Sequence, residues 1–571
     1  MDMGINVFYG LTLLILCILN PIRDSVAQPE PVIGLMDFEG KETGAVTSLK
    51  HNDLLLESDV ETEILRVNIQ SLQVPVLINK PDNRIYRIEI VTTGENLPLK
   101  MEEIEVEIGN TDQDIVKKIE VYYTGTNSDF NTKVKFGESE VKGSLKKIKG
   151  EQVLHQGSNT FWICATVSED ADLRSILHSL VSTVKISGKD YHFKNKVAEG
   201  MHRLGLSIRD HNQDGAHTHR IPGLVTTKKG TLIAVYDVRW NSATDLQGDI
   251  DVGMSRSVDG GQTWEPMKII MDMQAWGGLP EEENGIGDPS ILVDRNTNTI
   301  WVAAVWAHGH KDKRNWTESK PGMNPDRTSQ FMLVKSEDDG ITWQPPVNIT
   351  RQIKDEAWPL LLQGPGKGIT LSDGTLVFPA QYKDIDHIPY ATIIWSKDQG
   401  VHWNIGTGAK SNTTEAQVIE LKDGSLMLNM RDNRNRQDKS ETNGRSVTTS
   451  KDLGKTWREH PTSRSTLIEP VCMASLIKAD FVLNGDRKSL VLFSNPASKY
   501  ERENITLKIS FDDGNSWPVD YHLLLDEGKG RGYSCMTKID NQHIGIIYES
   551  SIVDLVFQVV DIEGYINSTR E

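Results

Sequence analysis

Short apolar or alternating segments, separated by polar and turn-forming residues, dominate the chain between residues 28 and 195. Strands of this length with period-two patterning are typical of an antiparallel β-sandwich. We therefore expect residues 28–195 to form an N-terminal β-sandwich domain. The segments that carry this prediction are 74–78, 85–91, 104–108, 119–123, 159–167 and 181–186.

From about residue 196 the pattern changes to repeated hairpins, each made of an apolar strand, a polar turn and a second apolar strand. Six such units in about 370 residues leave about 60 residues per unit, which suits a propeller blade of four short strands. We predict that residues 196–571 form a six-bladed β-propeller. The hairpin tips are expected near Lys229-Gly230, Asn296-Thr297, Asp373-Gly374, Asp423-Gly424, Asn484-Gly485 and Asn541.

An octad close to Ser-x-Asp-x-Gly-x-Thr-Trp follows each of the first five hairpins. Its Asp can accept hydrogen bonds from nearby amides, its Gly can adopt positive φ, and its Trp can pack the turn onto the next strand. These octads resemble the Asp-boxes of some β-propellers, and we use that name for them. They indicate architecture rather than chemistry. The Asp-boxes are residues 257–264, 336–343, 396–403, 450–457 and 510–517.

Reactive side chains recur at matching distances from the hairpin tips. Residues at equal distances from a tip lie side by side on the two strands of a hairpin. In a radial propeller the open ends of several hairpins converge at one mouth of the central axis, which predicts one shared site. The residues so placed are Glu415 with Arg431, Tyr533 with Glu549, Arg220 with Arg239, and Asp288 before the second tip.

The net charge of −18 argues against nucleic acid as a partner. An anionic substrate would therefore have to be held by a local cluster of cations. Residues 7–19 are apolar and are followed by Ser25-Val26-Ala27, so we predict a signal peptide at 1–27 and an exported protein. A short membrane anchor is the alternative; no membrane-spanning segment is expected in the mature chain, which we expect to be monomeric.

The remaining cysteines are too few for a disulfide framework. Buried thiols are expected at Cys164, Cys472 and Cys535, with a bridge between the last two as the alternative. The histidine pairs at 217/219 and 308/310 lack an evident third ligand, so no metal and no cofactor is expected.

The Arg220-Ile221-Pro222 tripeptide before the Asp-boxes is similar to the opening of the sialidases (neuraminidases). The likeness to the bacterial exo-sialidases covers about residues 200–555. It implies an all-β enzyme, with a propeller catalytic domain behind a sandwich, that hydrolyses terminal α-linked sialic acids of glycoproteins, glycolipids and oligosaccharides. Further matching segments are YDVRWNSATDLQ, NGIGDPS, GPGKGI, TEAQVIELKDGSLMLNMRD, FSNPASKYER and GYSCMTKID.

The resemblance implies a role for each site residue. Sialic acid carries a carboxylate on its anomeric carbon, and arginine binds carboxylates through a planar, bidentate fork. The implied clamp is Arg220, Arg431 and Arg502. Sialidases use a tyrosine where most retaining glycosidases use a carboxylate, which implies Tyr533 as nucleophile and Glu415 as its base.

Asp245 is implied as the acid/base that protonates the leaving oxygen, with Asp249 and Asp251 close by in the same segment. Glu549 is implied to orient Arg220, while Arg239 and Asp288 resemble positions that line the glycerol-ring side of the pocket.

Trans-sialidation, including the intramolecular form, is the related alternative. A propeller that binds sialoglycans without catalysis is the alternative from another class. For the sandwich domain, both carbohydrate binding and simple packing are open.

Overall fold

The computed structural model describes residues 62–94, 97–109, 114–140, 143–193, 199–246, 248–307 and 313–569. The predicted signal peptide at 1–27 and the pair His308/His310 lie outside the described residues. Within those ranges no helix has the length and apolarity needed to cross a membrane. Nearly all of the regular secondary structure in these residues is β-strand, which confirms the predicted fold class.

Two antiparallel sheets form the N-terminal sandwich, in the orders β1-β3-β8-β5-β6 and β7-β4-β9-β11. All six predicted segments contain or overlap a strand. The sequence pattern missed β1, β6, β7 and β10, because their side chains are largely polar or charged and mostly at least partly exposed. The strands are β1 (Glu63–Ser71), β2 (Val76–Leu77), β3 (Asn83–Thr93), β4 (Lys100–Ile108), β5 (Val116–Gly125), β6 (Lys135–Glu140), β7 (Leu145–Val153), β8 (Gly157–Val167), β9 (Ile176–Ile186), β10 (Lys189–His192) and β11 (Glu199–Arg209).

Strand β11 belongs to both parts of the molecule. Its first half pairs with β9 of the sandwich, and its second half pairs with the last strand of the chain, β37 (Leu555–Asp561). It thereby supplies the fourth strand of the sixth blade, which closes the propeller with a segment from before the first blade. The sandwich core is continuous with the apolar layer between the sixth and first blades.

The first three blades follow in chain order, each built mainly of antiparallel strands. In the third blade the inner strand is interrupted, and its middle piece, β21, pairs with the neighbouring β16 instead. The strands are β12 (Thr218–Thr226), β13 (Leu232–Arg239), β14 (Ile250–Ser257), β15 (Lys268–Met271), β16 (Gly285–Val293), β17 (Ile300–Ala307), β18 (Gln330–Ser336), β19 (Val347–Asn348), β20 (Leu360–Gln363), β21 (Gly366–Lys367), β22 (Ile369–Thr370), β23 (Leu376–Lys383), β24 (Pro389–Ser396), β25 (Asn404–Ile405) and β26 (Lys410–Ser411).

The last three blades complete the ring, so the described residues form the six blades that the hairpin pattern predicted. The turns lie at the predicted tips. The strands are β27 (Thr413–Glu420), β28 (Leu426–Asp432), β29 (Ser446–Ser450), β30 (Arg458–Glu459), β31 (Ser475–Leu483), β32 (Asp486–Pro496), β33 (Ile505–Ser510), β34 (His522–Asp526), β35 (Ser534–Lys538), β36 (His543–Tyr548) and β37; the short helices are α1 (Asn315–Glu318), α2 (Thr350–Ile353) and α3 (Ile562–Ser568).

Apolar side chains fill the wedges between neighbouring blades. Val235 and Ile291 meet between the first two blades, and Phe378 lies between the second and third. Since each blade buries a face against both neighbours, the ring is held by lateral packing while the axis stays free for polar side chains.

Each Asp-box forms the turn between the third and fourth strands of a blade. In the second blade the Asp338 carboxylate accepts from the Thr342 amide at 2.8 Å and from Ser336 Oγ at 2.9 Å, and Trp343 Nε1 donates to Gly340 O at 3.2 Å. Gly340 has φ 84°, which favours glycine. The hydrogen bonds within each Asp-box therefore stabilise the turn between the two outer strands of a blade. The sequence predicted such a tight turn.

The Asp-boxes should make the stability of the fold depend on pH. Hydrogen bonds from Thr342 lower the pKa of Asp338 to about 2, and those from His402 do the same for Asp398. A carboxyl group with a lowered folded pKa stabilises the fold above its unfolded pKa, about 3.9, and loses that contribution as the pH falls through about 2. We expect the thermal midpoint to fall between pH 4 and pH 2, and to fall less in Asp338→Asn/Asp398→Asn. An equal fall in both proteins would contradict this.

Candidate active site

One mouth of the propeller gathers the predicted clamp. Arg220 lies in β12, Arg431 near the end of β28, and Arg502 in the loop between β32 and β33. All three surround Tyr533: Arg431 Nη1 is 3.2 Å from the tyrosine hydroxyl, and the guanidinium carbons of Arg220 and Arg502 lie 5.5 and 5.6 Å from the ring centroid. The three arginines and the tyrosine thus come together at a single point.

The Tyr533 hydroxyl donates a hydrogen bond to Glu415 Oε1, and Glu415 Oε2 accepts from Arg431 Nη1 at 2.7 Å. Burial, followed by the Glu415 charge, raises the pKa of Tyr533 well above its usual value. Burial raises the pKa of Glu415, but the charge of Arg431 and the hydrogen bonds from Tyr533 and Arg431 together outweigh burial, and the net shift is downward. At neutral pH the pair is therefore a neutral phenol beside a carboxylate that already accepts its proton in a hydrogen bond.

Glu549 connects Arg220 of the clamp to the backbone at Tyr533. Its carboxylate accepts from Arg220 Nε at 3.0 Å and from the backbone amides of Ile221 and Tyr533, each at 3.1 Å. Glu549 is 1% exposed, so these bonds replace all of its contact with water. Ile221 has φ 58°, a strained conformation for a β-branched residue. Burial lowers the pKa of Arg220, but Glu549 and then Asp245 raise it more, and the guanidinium stays charged.

Asp245 lies on the segment between β13 and β14, and its side chain is 60% exposed. Its Oδ1 accepts from Arg220 Nη1 at 2.9 Å and from Arg239 Nη1 at 2.8 Å. Burial alone would raise the pKa of Asp245, but Arg239 and Arg220 lower it to about 2. Of the neighbouring acids Asp245, Asp249 and Asp251, only Asp245 contacts the clamp, while Asp251, in β14, accepts from Trp240 Nε1 at 2.8 Å.

Arg239 is fully buried and is committed to protein partners. Its Nε and Nη2 donate to Asp237 Oδ2, and its Nη1 donates to Ala243 O and Asp245 Oδ1. Burial lowers the pKa of Arg239, but Asp237 and Asp245 together raise it more. A single N–H on Nη2 is left for any other acceptor, so Arg239 is held mainly by Asp237 and in turn holds Asp245 in place.

Asp288, at φ 55°, is partly buried and lies near the charges of Asp237, Arg239, Glu415 and Asp245. Its amide donates to Asp237 Oδ1 at 2.8 Å, and its carbonyl accepts from Gln363 Nε2. Among the described residues no hydrogen-bond donor reaches its carboxyl oxygens. Burial and then the Asp237 charge raise the pKa of Asp288 well above its usual value. The group is thus a free carboxyl that favours the protonated form.

The predicted pairing of Arg220 with Arg239 was wrong. The strand register pairs Arg220 with Asp237 and Thr218 with Arg239. The turn between Thr226 and Leu232 is centred on Lys229 rather than between Lys229 and Gly230, which moves the partner of Arg220 by one residue, and an irregularity after Arg220 moves it by one more. The other two pairings are confirmed: Glu415 lies opposite Arg431, and Tyr533 lies opposite Glu549.

Two buried ion pairs support the site and were not found in the sequence. Asp237 pairs with Arg239 as described above, and Arg445 Nη1 donates to Glu469 Oε2 at 2.7 Å. Arg445 also donates to the carbonyl of Cys472 at 2.6 Å, which fixes the chain beneath Tyr533. Nothing in their spacing separates these residues from ordinary charges, because the signal is burial.

The described cysteines are free and buried, so no bridge joins Cys472 to Cys535. Within the described ranges, no group of three His, Cys, Asp or Glu side chains could hold a metal ion. His219 contacts the Asp210 carbonyl at 3.2 Å, and His217 contacts Thr218 Oγ1 at 2.6 Å.

The fold and the pocket define an all-β propeller protein with a cationic site suited to an anion. Residues 221–528 match the model of a BNR repeat-like domain, and residues 65–190 match the N-terminal domain of BNR-repeat neuraminidase. A sialidase of Bacteroides fragilis (strain YCH46) is 44% identical over 523 residues, which are 87% of this chain and 95% of that protein. The chain therefore belongs to the sialidase family of glycoside hydrolases.

Solved structures agree with this assignment. The structure of a Hadza microbial sialidase has a TM-score of 0.80 at 44% identity, and the match covers 87% of this chain and 99% of the other. The intramolecular trans-sialidase from Ruminococcus gnavus has a TM-score of 0.50 at 20% identity, with 62% of this chain and 99% of that chain covered. The second likeness concerns the fold alone.

Proposed function

We propose that the protein is an exo-α-sialidase that releases terminal α-linked sialic acids from glycoproteins, glycolipids and oligosaccharides, with retention through a tyrosyl-enzyme intermediate. The observation that carries the proposal is the Tyr533–Glu415 hydrogen bond beneath three converging arginines. No simpler role accounts for a nucleophile, its base and a carboxylate clamp in one pocket.

Unused donors in the clamp support binding of a carboxylate. Arg431 Nε is buried without a hydrogen-bond partner among the described residues. The Nη atoms of Arg502 donate to the carbonyls of Arg531 and Val471, which aims its remaining donors from a fixed position. Buried donors are seldom left unpaired, and charge-assisted bonds to a carboxylate are the strong kind. The carboxylate of a sialoside is the acceptor that we propose.

In the first step Tyr533 Oη attacks the anomeric carbon and Glu415 takes the phenolic proton, while the bond to the leaving glycan oxygen breaks and Asp245 protonates that oxygen. A neutral phenol avoids the repulsion that a carboxylate nucleophile would meet beside the substrate carboxylate. Once that carboxylate engages Arg431, the arginine holds Glu415 less tightly, and Glu415 becomes a stronger base. Water then attacks the anomeric carbon from the side opposite Tyr533 and gives a proton to Asp245, while the bond to Tyr533 Oη breaks and Glu415 returns the phenolic proton. The two inversions give net retention.

Asp245 is the proposed proton donor, although its pKa of about 2 keeps it ionised in the free pocket. Bound substrate changes both the arginine charges and the solvent exposure that set the pKa of Asp245. The substrate carboxylate neutralises Arg220, and the leaving sugar covers a side chain that is 60% exposed. Both effects raise the pKa of Asp245, so the acid forms only when substrate is present.

Asp245→Asn should separate substrates by their leaving groups. General acid catalysis is worth about 10²- to 10⁴-fold, so we expect kcat/KM for 3′-sialyllactose to fall by about that factor. An aryl sialoside, whose phenolate leaves without a proton, should keep kcat/KM nearly unchanged and accumulate the intermediate. The measurement is steady-state and burst kinetics on both substrates. An equal loss of kcat/KM on both would remove Asp245 as the acid.

Transfer to a sugar hydroxyl, or to the glycerol chain of the substrate itself, would use the same intermediate. The nucleophile of the second step decides between hydrolysis and transfer, and product analysis distinguishes them.

For the sandwich we propose a packing role. Trp162 is 6% exposed and lies edge-on to Phe130 at 5.7 Å, with Arg84 close by, so it is no open platform for a sugar ring.

A further inference from the structure

A second cavity, of about 620 Å³, opens at the other mouth of the propeller axis. Its walls are largely the later parts of the inner strands, whereas the clamp lies at the other end of the blades, where Arg220 is in the first half of β12. Arg220 and Thr226 are six positions apart on β12, which puts roughly 20 Å between the two mouths at about 3.3 Å per residue. Tight packing separates them, since a Cβ on Gly223 would lie 2.5 Å from the Gly366 carbonyl.

The lining of this cavity is strongly cationic, although the whole chain carries a net charge of −18. Glu420 and Asp480 are its acidic residues. Its basic residues are Lys228, Arg295, Lys367, Lys478, Arg487 and Lys538. A positive pocket on a negative protein concentrates field lines and attracts anions.

Two of these cations are neutralised by neighbours: Lys478 lies 2.7 Å from Asp513, and Arg487 lies 2.8 Å from Asp480. Arg295 is exposed, and its guanidinium makes no hydrogen bond or ion pair within the described residues. Lys367 is partly buried, and its ammonium has one bond, to the Met536 carbonyl at 3.3 Å. Burial lowers the pKa of Lys367, which is the cost of keeping this cation without an anion.

The remaining wall combines apolar residues, among them Val225, Val293, Ile419 and Leu476, with hydroxyl-bearing residues such as Thr226 and Thr370. Apolar walls with a few polar groups are typical of small-molecule sites, and this volume is in their usual range of about 300–1,000 Å³. Lys367 belongs to the Gly-Pro-Gly-Lys-Gly-Ile segment, which contributes neither an arginine of the clamp nor the tyrosine.

We propose that this cavity binds a sugar-sized anion, a monosaccharide bearing a carboxylate or a phosphate, with Arg295 and Lys367 as its anion-binding residues. The apolar side chains of the wall contact the sugar ring, and Arg295 and Lys367 hold the charged group. This site is separate from the catalytic pocket and does not depend on the proposed reaction.

Isothermal titration of the full chain with D-glucuronate and with glucose 6-phosphate tests the proposal. We expect saturable 1:1 binding of at least one of the two, no binding of glucose, and at least a tenfold loss of affinity in Arg295→Gln and in Lys367→Met. Lys455→Gln removes one charge from an exposed Asp-box position and should bind as the wild type does. Arg431→Ala, which damages the clamp, should also bind normally.

The absence of saturable binding to both sugars would overturn the proposal. It would also be overturned if binding survived in Arg295→Gln but was lost in Arg431→Ala, because the anion would then occupy the clamp. Inorganic phosphate that bound as tightly as either sugar would show that the wall contributes nothing, which contradicts a sugar site. Since Arg295 is exposed, its variant should fold even if Lys367→Met does not.

Discussion

Tyr533→Phe is expected to reduce turnover of 3′-sialyllactose by on the order of 10³-fold or more, while the fold and substrate binding are retained. The substitution removes one oxygen, which is the proposed nucleophile. The clamp arginines keep their partners, because Arg220 is held by Glu549 and Arg502 by backbone carbonyls. Steady-state kinetics, together with titration of the variant with sialyllactose, measure the two effects separately.

Tyr123→Phe provides a matched control. Tyr123 is 6% exposed, as is Tyr533, and its hydroxyl donates to Asn159 at 2.8 Å in the sandwich. We expect this variant to keep full activity even if it loses some stability. If Tyr533→Phe turned over substrate as fast as Tyr123→Phe, the covalent mechanism would be wrong.

Arg220→Ala should damage both affinity and stability. Removal of one partner of a buried ion pair typically costs about 3–5 kcal/mol, because it leaves the other charge uncompensated. Here Glu549 would be that charge, at 1% exposure. The substrate carboxylate would also lose a charge-assisted partner. We expect a large fall in kcat/KM and a lower thermal midpoint.

The double variant Arg220→Ala/Glu549→Gln separates the two effects. Glutamine in place of Glu549 removes the stranded charge, so much of the lost stability should return while kcat/KM stays low. Sialyllactose affinity in Arg220→Ala equal to that of wild type would exclude Arg220 from the clamp. If activity recovered together with stability in the double variant, the role of Arg220 would be structural only.

Much of the propeller could be predicted from the sequence, because its repeats are local. Each hairpin tip and each Asp-box is a turn made by neighbouring residues, so their types and spacing are visible in the chain. The closing strand β11 is different. Its pairing with β37 joins residues about 350 positions apart, and no local pattern indicates such a partner. Edge strands such as β7, with the sequence LKKIKGEQV, were missed because charged side chains hide the alternation.

The candidate site divides in the same way. Tyr533 and Glu415 lie on different blades, yet both could be selected from hairpin symmetry and from resemblance. Asp237 could not, because its importance comes from complete burial between Arg239 and the Asp288 amide. The register around Arg220 was misjudged because an irregularity in β12 moved it, and such an irregularity leaves no clear mark in the sequence.

The most direct test of the account is the NMR spectrum of the first product formed from 3′-sialyllactose. A double displacement through Tyr533 predicts that free sialic acid appears first as the α-anomer and only later converts to the β-anomer. An anhydro product would replace hydrolysis by intramolecular transfer. The β-anomer as the first product would contradict the tyrosyl intermediate outright.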